Sequence, residues 1–219
     1  MSTIAIWRRS VAPASASPKP PSAPSNPRTT MTAAPGLRGR FPGAHGEWAR
    51  FDGPAGTQMV DVAIRAASDW SSSGDNANTH GAFAAAHATD SLLERARLVV
   101  AQLLDADPRG VCFGANMTTM TFAFTRAVAR TLKPGDRVVG TRLDHDANVS
   151  TWRVACEESG AEHVLCPFSV ADGRLDMDAL ERLITPNTKW VAVTGASNLI
   201  GTMPDVRAVV SLARRVGAR

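Results

Sequence analysis

Apolar positions fall into a regular order from about residue 50 onward. Across residues 57–70, Met59, Val60, Ala63, Ile64 and Ala67 recur at helical spacing, which predicts a helix with one apolar face. Residues 71–88 are polar and rich in Gly, Ser and Asn, a long loop of the kind that carries function or stays disordered. Thr89 to Leu104 gives the clearest helical pattern, with Leu92, Leu93, Ala96, Val99, Val100, Leu103 and Leu104 on one stripe and Thr89 or Asp90 as cap. Alternation follows. Short apolar runs at Val111–Gly114, Arg137–Thr141, His163–Phe168 and Thr188–Thr194 predict strands. Helical patterns at Met117–Leu132, Ala147–Gly160, Asp176–Ile184 and Asp205–Val216 follow them in turn. Four strand–helix units in series imply an α/β fold, a mainly parallel sheet with helices on both faces.

Ligands of such sheets bind at the carboxyl ends of the strands, which selects three loops. In Gly114-Ala115-Asn116-Met117-Thr118-Thr119 a strand ends and a helix begins. Its unsatisfied N–H groups and Thr hydroxyls suit a phosphate; an ordinary Asn cap with nothing bound explains it equally. It is neither a Walker A nor a GxGxxG motif. Leu143-Asp144-His145-Asp146-Ala147-Asn148 sets a histidine between two carboxylates. His145 there is a general base, a lid over a ring, a metal ligand or part of a capping loop. A metal needs further ligands, and neither His80 nor His87 forms an HxxxH or HxH pair, so no metal is expected. In Ala196-Ser197-Asn198-Leu199-Ile200-Gly201-Thr202, an amide follows an apolar strand. Asn198 either meets a ligand oxygen or merely opens a turn.

Composition changes the picture at the amino end. The chain has 219 residues, 44% hydrophobic, and a net charge of +4. The first 46 residues hold Arg8, Arg9, Lys19, Arg28, Arg38 and Arg40 and no carboxylate; Glu47 is the first. The other 173 residues carry 18 basic and 20 acidic side chains, a net of −2. The basic character belongs to a tail and does not indicate a nucleic-acid partner. Eight of the 14 prolines lie in residues 1–43, so residues 1–49 are expected to be disordered. An apolar segment does not follow Arg8-Arg9, which argues against a twin-arginine signal. The tail reads either as a transit peptide or, more simply, as an over-extended start with Met31 as initiator. No run of 18 apolar residues is present, so no membrane span is expected. Cys112, Cys156 and Cys166 lack metal-type spacing; Cys112 and Cys166 lie in runs that read as buried strands. Core thiols in a reducing, cytoplasmic setting are the expectation.

Five segments stand in one collinear order: Phe51-Asp52-Gly53-Pro54-Ala55-Gly56-Thr57, Asn76-Ala77-Asn78-Thr79-His80-Gly81, Phe113-Gly114-Ala115-Asn116-Met117-Thr118, Asp144-His145-Asp146-Ala147-Asn148 and Ser197-Asn198-Leu199-Ile200-Gly201-Thr202. In that order, from about Arg50 to Arg219, the chain resembles the class V aminotransferases. These are pyridoxal-phosphate enzymes that include cysteine desulfurases, selenocysteine lyases and kynureninases. The likeness is strongest to the cysteine-desulfurase branch. It implies the large domain of a pyridoxal-phosphate-dependent transferase or lyase, acting on a small amino acid. It further implies that Met117, through its N–H, and Thr118 hold the cofactor phosphate. His145 would stack on the pyridine ring and assist proton transfer, and Asn198 would bond the phenolic oxygen. His80 would line the substrate side, with Ala55 and Gly56 near the substrate carboxylate.

The likeness ends before the Asp that pairs with the ring nitrogen and the Schiff-base Lys of the family. Lys19, Lys133 and Lys189 are the only lysines. They fall in the tail, in a turn and at the amino end of a strand. The expectation is therefore the amino-terminal fragment of a longer, homodimeric enzyme, inactive alone. Two alternatives are a non-catalytic paralogue or dimerisation half with the same fold, and an unrelated doubly wound domain holding another phosphate ligand. The resemblance leaves open which reaction is run: desulfuration, transamination or other lyase chemistry.

Overall fold

A computed structural model describes residues 5–6, 36–44, 51 and 53–219. Most of the tail, with its charge and initiator readings, lies outside the described residues. The chain divides into two compact units, one running from Val111 to Arg219 together with the Ala5–Ile6 strand, the other covering Trp7–Gly110.

In the carboxyl-terminal unit the central strand is Arg137–Thr141 (β3; β1 and β2 are Ala5–Ile6 and Val111–Cys112). Glu162–Cys166 (β4) and Thr188–Val191 (β5) pair with it in parallel, in the order β4-β3-β5. Val138 and Val139 are adjacent and both fully buried, so the sheet is covered on each face. One cover joins Val138 and Ala192 to Val128, Leu132, Trp152 and Cys156. It is built from the helices Met117–Ala129 (α3; α1 and α2 are Asp61–Ser72 and Ala84–Leu104) and Ser150–Ser159 (α4). Phe124, Trp152 and Trp190 meet inside it with ring centroids 5.4–5.9 Å apart. The other cover joins Val139 and Cys166 to Leu180, Val209 and Leu212 from Met177–Leu183 (α5) and Val206–Arg215 (α6). Side chains start these helices: Asp176 accepts from Ala179 N–H at 2.8 Å and Asp205 from Ala208 N–H at 3.0 Å.

Among the described residues the parallel sheet has three strands rather than four. β2 pairs antiparallel with β1 in a separate ribbon, through Ala5↔Cys112 and Ile6↔Val111. Strand alternation then buries Val111 and leaves Cys112 exposed, so the core position expected for Cys112 is corrected. Cys156 and Cys166 are buried.

In the amino-terminal unit α1 begins at Asp61 rather than at 57, and none of its residues is buried. α2 begins at Ala84, five residues before the expected start, and Thr89 and Asp90 do not cap it. Its apolar stripe is only partly covered: Leu92, Leu93, Ala96 and Val100 are half-buried, Val99, Leu103 and Leu104 are exposed, and only Ala86 and Ala101 of the helix are buried. No helix among the described residues is long and apolar enough to cross a membrane.

Candidate active site

Three loops leave the carboxyl-terminal unit near the ends of its strands. The first opens α3. Asn116 is extended (φ −165°, ψ 168°), and its Oδ1 accepts from Thr119 N–H at 2.8 Å. Its carbonyl takes Met120 N–H at 3.2 Å. Among the described residues, the N–H groups of Met117 and Thr118 have no acceptor, as the first turn of a helix leaves them. Thr118 is exposed. The Asn cap and a vacant pair of donors therefore coexist, and the helix dipole favours an anion there. Gly114 makes room for this turn: a Cβ on it would lie 2.5 Å from Met120 Cγ.

The second loop follows β3 and turns through the 3-10 segment Asp146–Asn148, which packs beside α3 and α4. His145 caps that segment, with Nδ1 accepting from Ala147 N–H at 3.0 Å. A neutral imidazole accepting at Nδ1 carries its proton on Nε2. The ring is exposed, so Nε2–H is presented to a ligand. His145 is thus both the capping residue and the strand-end histidine of the sequence reading.

Beneath it sits a group that sequence reasoning did not single out. The Asp144 carboxylate accepts from Thr141 Oγ1 and from Asn148 Nδ2 at 2.8 Å. Asn148 Oδ1 in turn accepts from Trp152 Nε1 at 3.1 Å. Burial pushes the Asp144 pKa up, and the Asn148 and Thr141 hydrogen bonds oppose that shift. The spacing of Asp144, Asn148 and Trp152, four residues apart each time, was the available signal.

The third loop follows β5 and closes on itself. Ser197 N–H donates to the Thr202 carbonyl at 2.8 Å, and Gly201 N–H to the Ser197 carbonyl at 3.0 Å. Gly201 has φ +75°, a conformation that favours glycine. The turn leans on the hairpin 169–174: Thr202 Oγ1 donates to the Gly173 carbonyl at 2.8 Å. Asn198 is exposed. The structure sets α3 beside the second loop. Met117, Thr118, His145 and Asn198 all belong to this unit.

His80 belongs to the other unit. It has φ +65°, uncommon for a residue with a side chain. Both Asp90 carboxylate oxygens lie within 3.3 Å of its N–H, and its ring Nδ1 is 3.7 Å from Asp90 Oδ1. Thr89 Oγ1 donates to the Ala77 carbonyl at 2.9 Å. The residues read as a helix cap instead pin the loop that carries His80. Ala55 ends the 3-10 turn Gly53–Ala55, and Gly56 N–H closes it on the Gly53 carbonyl at 3.2 Å.

Neither buried cysteine suits nucleophilic work. Burial pushes both thiols up to about 11, with the nearby charges of Glu157 and Asp176 adding to Cys156 and Cys166 respectively. Lys189 Nζ is 3.6 Å from Asp136 Oδ1, at the amino end of the sheet. Lys133 precedes β3 in the same turn as Asp136. No group of three His, Cys, Asp or Glu side chains among the described residues is arranged to hold a metal.

Residues 50–219 match the family described as aminotransferase class-V. An uncharacterized protein of Mycobacterium tuberculosis is 34% identical over 183 residues, which is 83% of this chain and 46% of that protein. A probable cysteine desulfurase of Mycolicibacterium paratuberculosis is 35% identical over 178 residues, 77% of this chain and 25% of that protein. Among solved structures, a cysteine desulfurase of Escherichia coli matches with a TM-score of 0.64 at 26% identity, over 83% of this chain and 46% of that one. The chain spans about half, or less, of the length of these relatives.

Proposed function

Given that this chain belongs to the class V aminotransferase family, we propose that it forms the phosphate- and ring-facing part of a pyridoxal-phosphate site in a cysteine-desulfurase-like enzyme acting on a small amino acid. The observation that carries this reading is the α3 start: two adjacent N–H groups without acceptors among the described residues, beside an exposed Thr118. The residues present fit the group. Met117 N–H and Thr118 would take its phosphate, and Asn198 would donate to its phenolic oxygen. His145 would face its ring, holding a proton at Nε2. His80, oriented by Asp90, would serve the substrate side. When bound, the cofactor supplies an electron sink for the substrate Cα. The protein's part is to bind, to orient and to hold the His145 proton in place.

The proposal extends to a cytoplasmic homodimer for the whole enzyme, in line with three cysteines that form no disulfide. It also holds that these 219 residues bind the cofactor without turning over an amino acid. The described lysines support this, because Lys133 and Lys189 lie at the opposite end of the strands from the three loops. The same placement favours the second reading, a non-catalytic paralogue or dimerisation half. Turnover of an amino acid by the enzyme isolated from its source excludes that second reading.

The direct test titrates the chain with pyridoxine 5′-phosphate, whose alcohol cannot condense with lysines. Saturable binding that inorganic phosphate displaces is the expected result, with a rise in Tm as ligand is added. Thr118→Val should weaken it about tenfold, the value of one or two lost hydrogen bonds to a charged group. Absence of binding, or binding untouched by Thr118→Val, defeats the reading.

A further inference from the structure

Resting on the site reading above, we propose that Trp152 is a positioning residue: from one place in α4 it holds the His145 turn through Asn148 and the phosphate-facing helix α3 through Phe124, and so sets the span between the two ends of the site. The start of α4 reaches back over the turn one residue at a time. Ser150 Oγ donates to Asp146 Oδ1 at 2.7 Å, Thr151 Oγ1 to the Ala147 carbonyl at 2.8 Å, and Trp152 Nε1 to Asn148 Oδ1 at 3.1 Å. The segment held in this way is the one that closes on His145. Asn148 N–H donates to the His145 carbonyl at 2.8 Å, and Ala147 N–H to its ring Nδ1 at 3.0 Å.

Trp152 also reaches α3. Its side chain is buried, and its ring meets that of Phe124 edge-on, with centroids 5.9 Å apart. The Trp190 ring of β5 closes the group, 5.6 Å from Trp152 and 5.4 Å from Phe124. Phe124 stands about two helical turns beyond Met117, so fixing it fixes where the first turn of α3 lies. The polar end of Trp152 is as constrained as its ring. An indole N–H only donates, so the Asn148 atom that meets it is the oxygen, and Nδ2 is turned to Asp144, at 2.8 Å. Without that N–H, the Asn148 amide loses the contact that sets its sense. A ligand that meets only the α3 start is indifferent to this; a ligand that spans from the α3 start to His145 is not.

The test compares Trp152→Phe with Trp190→Phe in the full 219-residue chain. Both trim an indole of the same cluster, and of the two only Trp152 bonds the turn. Trp152→Phe should weaken pyridoxine 5′-phosphate about fivefold, the worth of about one hydrogen bond, while inorganic phosphate, followed by its displacement of that ligand, stays within about twofold. Amide hydrogen exchange at Ala147 and Asn148 should quicken about fivefold, with the β3 amides of Val138 and Val139 within about twofold. Trp190→Phe should leave the ratio of the two affinities, and exchange at Ala147 and Asn148, within about twofold. Equal losses for both ligands in Trp152→Phe, or the same pattern in Trp190→Phe, overturn the inference, because each marks a general structural role. Unchanged exchange at Ala147 and Asn148 in Trp152→Phe overturns it as well. If that variant does not fold, Asn148→Ala breaks the same link, and unchanged exchange at Ala147 there overturns the inference. Should the unaltered chain bind no pyridoxine 5′-phosphate, the site reading fails, and exchange at Ala147 and Asn148 still decides whether Trp152 holds the turn.

Discussion

α2 and α6 carry equally legible apolar stripes, and the structure treats them differently. α6 buries Val209, Leu212 and Ala213 against the sheet. α2, twice as long, buries only Ala86 and Ala101 and leaves Val99 and Leu103 exposed. Periodicity predicts that a helix has a face to bury; it does not supply the surface that receives it. In the carboxyl-terminal unit a twisted parallel sheet provides that surface on both sides. Among its described residues, the amino-terminal unit has no sheet to offer α1 or α2.

That contrast can be broken or sharpened by substitution. Leu180→Ala, at a fully buried position, should cost about 2–5 kcal/mol, read as a large loss of Tm. Leu103→Ala in α2 should cost less than about 0.5 kcal/mol; a loss near that of Leu180→Ala would show that the α2 face is covered in solution. Between these lies Asn116→Ala, which removes the α3 cap and should cost about 1 kcal/mol. It should also weaken phosphate competition, because the same turn presents the Met117 and Thr118 donors.

A pH-dependent effect comes next. His163 Nε2 on β4 is buried without a hydrogen-bond partner. Burial lowers its pKa, Arg153 adds to that, and Glu157 opposes it. With the folded value depressed, the unfolded chain binds the extra proton more readily. Stability is therefore full above about pH 6.5 and declines as pH falls below it. His163→Leu should flatten that decline in a series of thermal melts between pH 7 and pH 5. The smallest effect belongs to Arg109→Ala. Its partner Asp107 is held down to about 2 by the guanidinium, yet both lie in solvent, so no change in Tm is expected.

Most of the parallel sheet could be read from the sequence because its strands are local apolar runs. β3 matches its expected bounds, and β4 and β5 lie within theirs to a residue or a few. β2 could not be placed, since its ladder partner lies at residues 5–6, more than a hundred positions away. The start of α2 was missed for a different reason. Ala84, Ala85 and Ala86 are strong helix formers, whereas Thr89 and Asp90 look like caps while their side chains hold the loop at 77–80. In the site, the α3 cap and the His145 cap are short-range features and were legible. The Thr202 contact with the Gly173 carbonyl joins positions 29 residues apart, and no local pattern announces it.

Gly173 bears on the Asn198 turn from outside it. Its φ is +69°, and a Cβ added there would stand 2.6 Å from Ile200 Cδ1 and 3.2 Å from Thr202 Cγ2. Two of the six residues in the 197–202 turn thus occupy room that exists only because residue 173 has no side chain. A side chain at position 173 would strain a positive-φ residue and press first on the flexible tip of Ile200, so the turn that carries Asn198 is fitted against a hairpin upstream of α5.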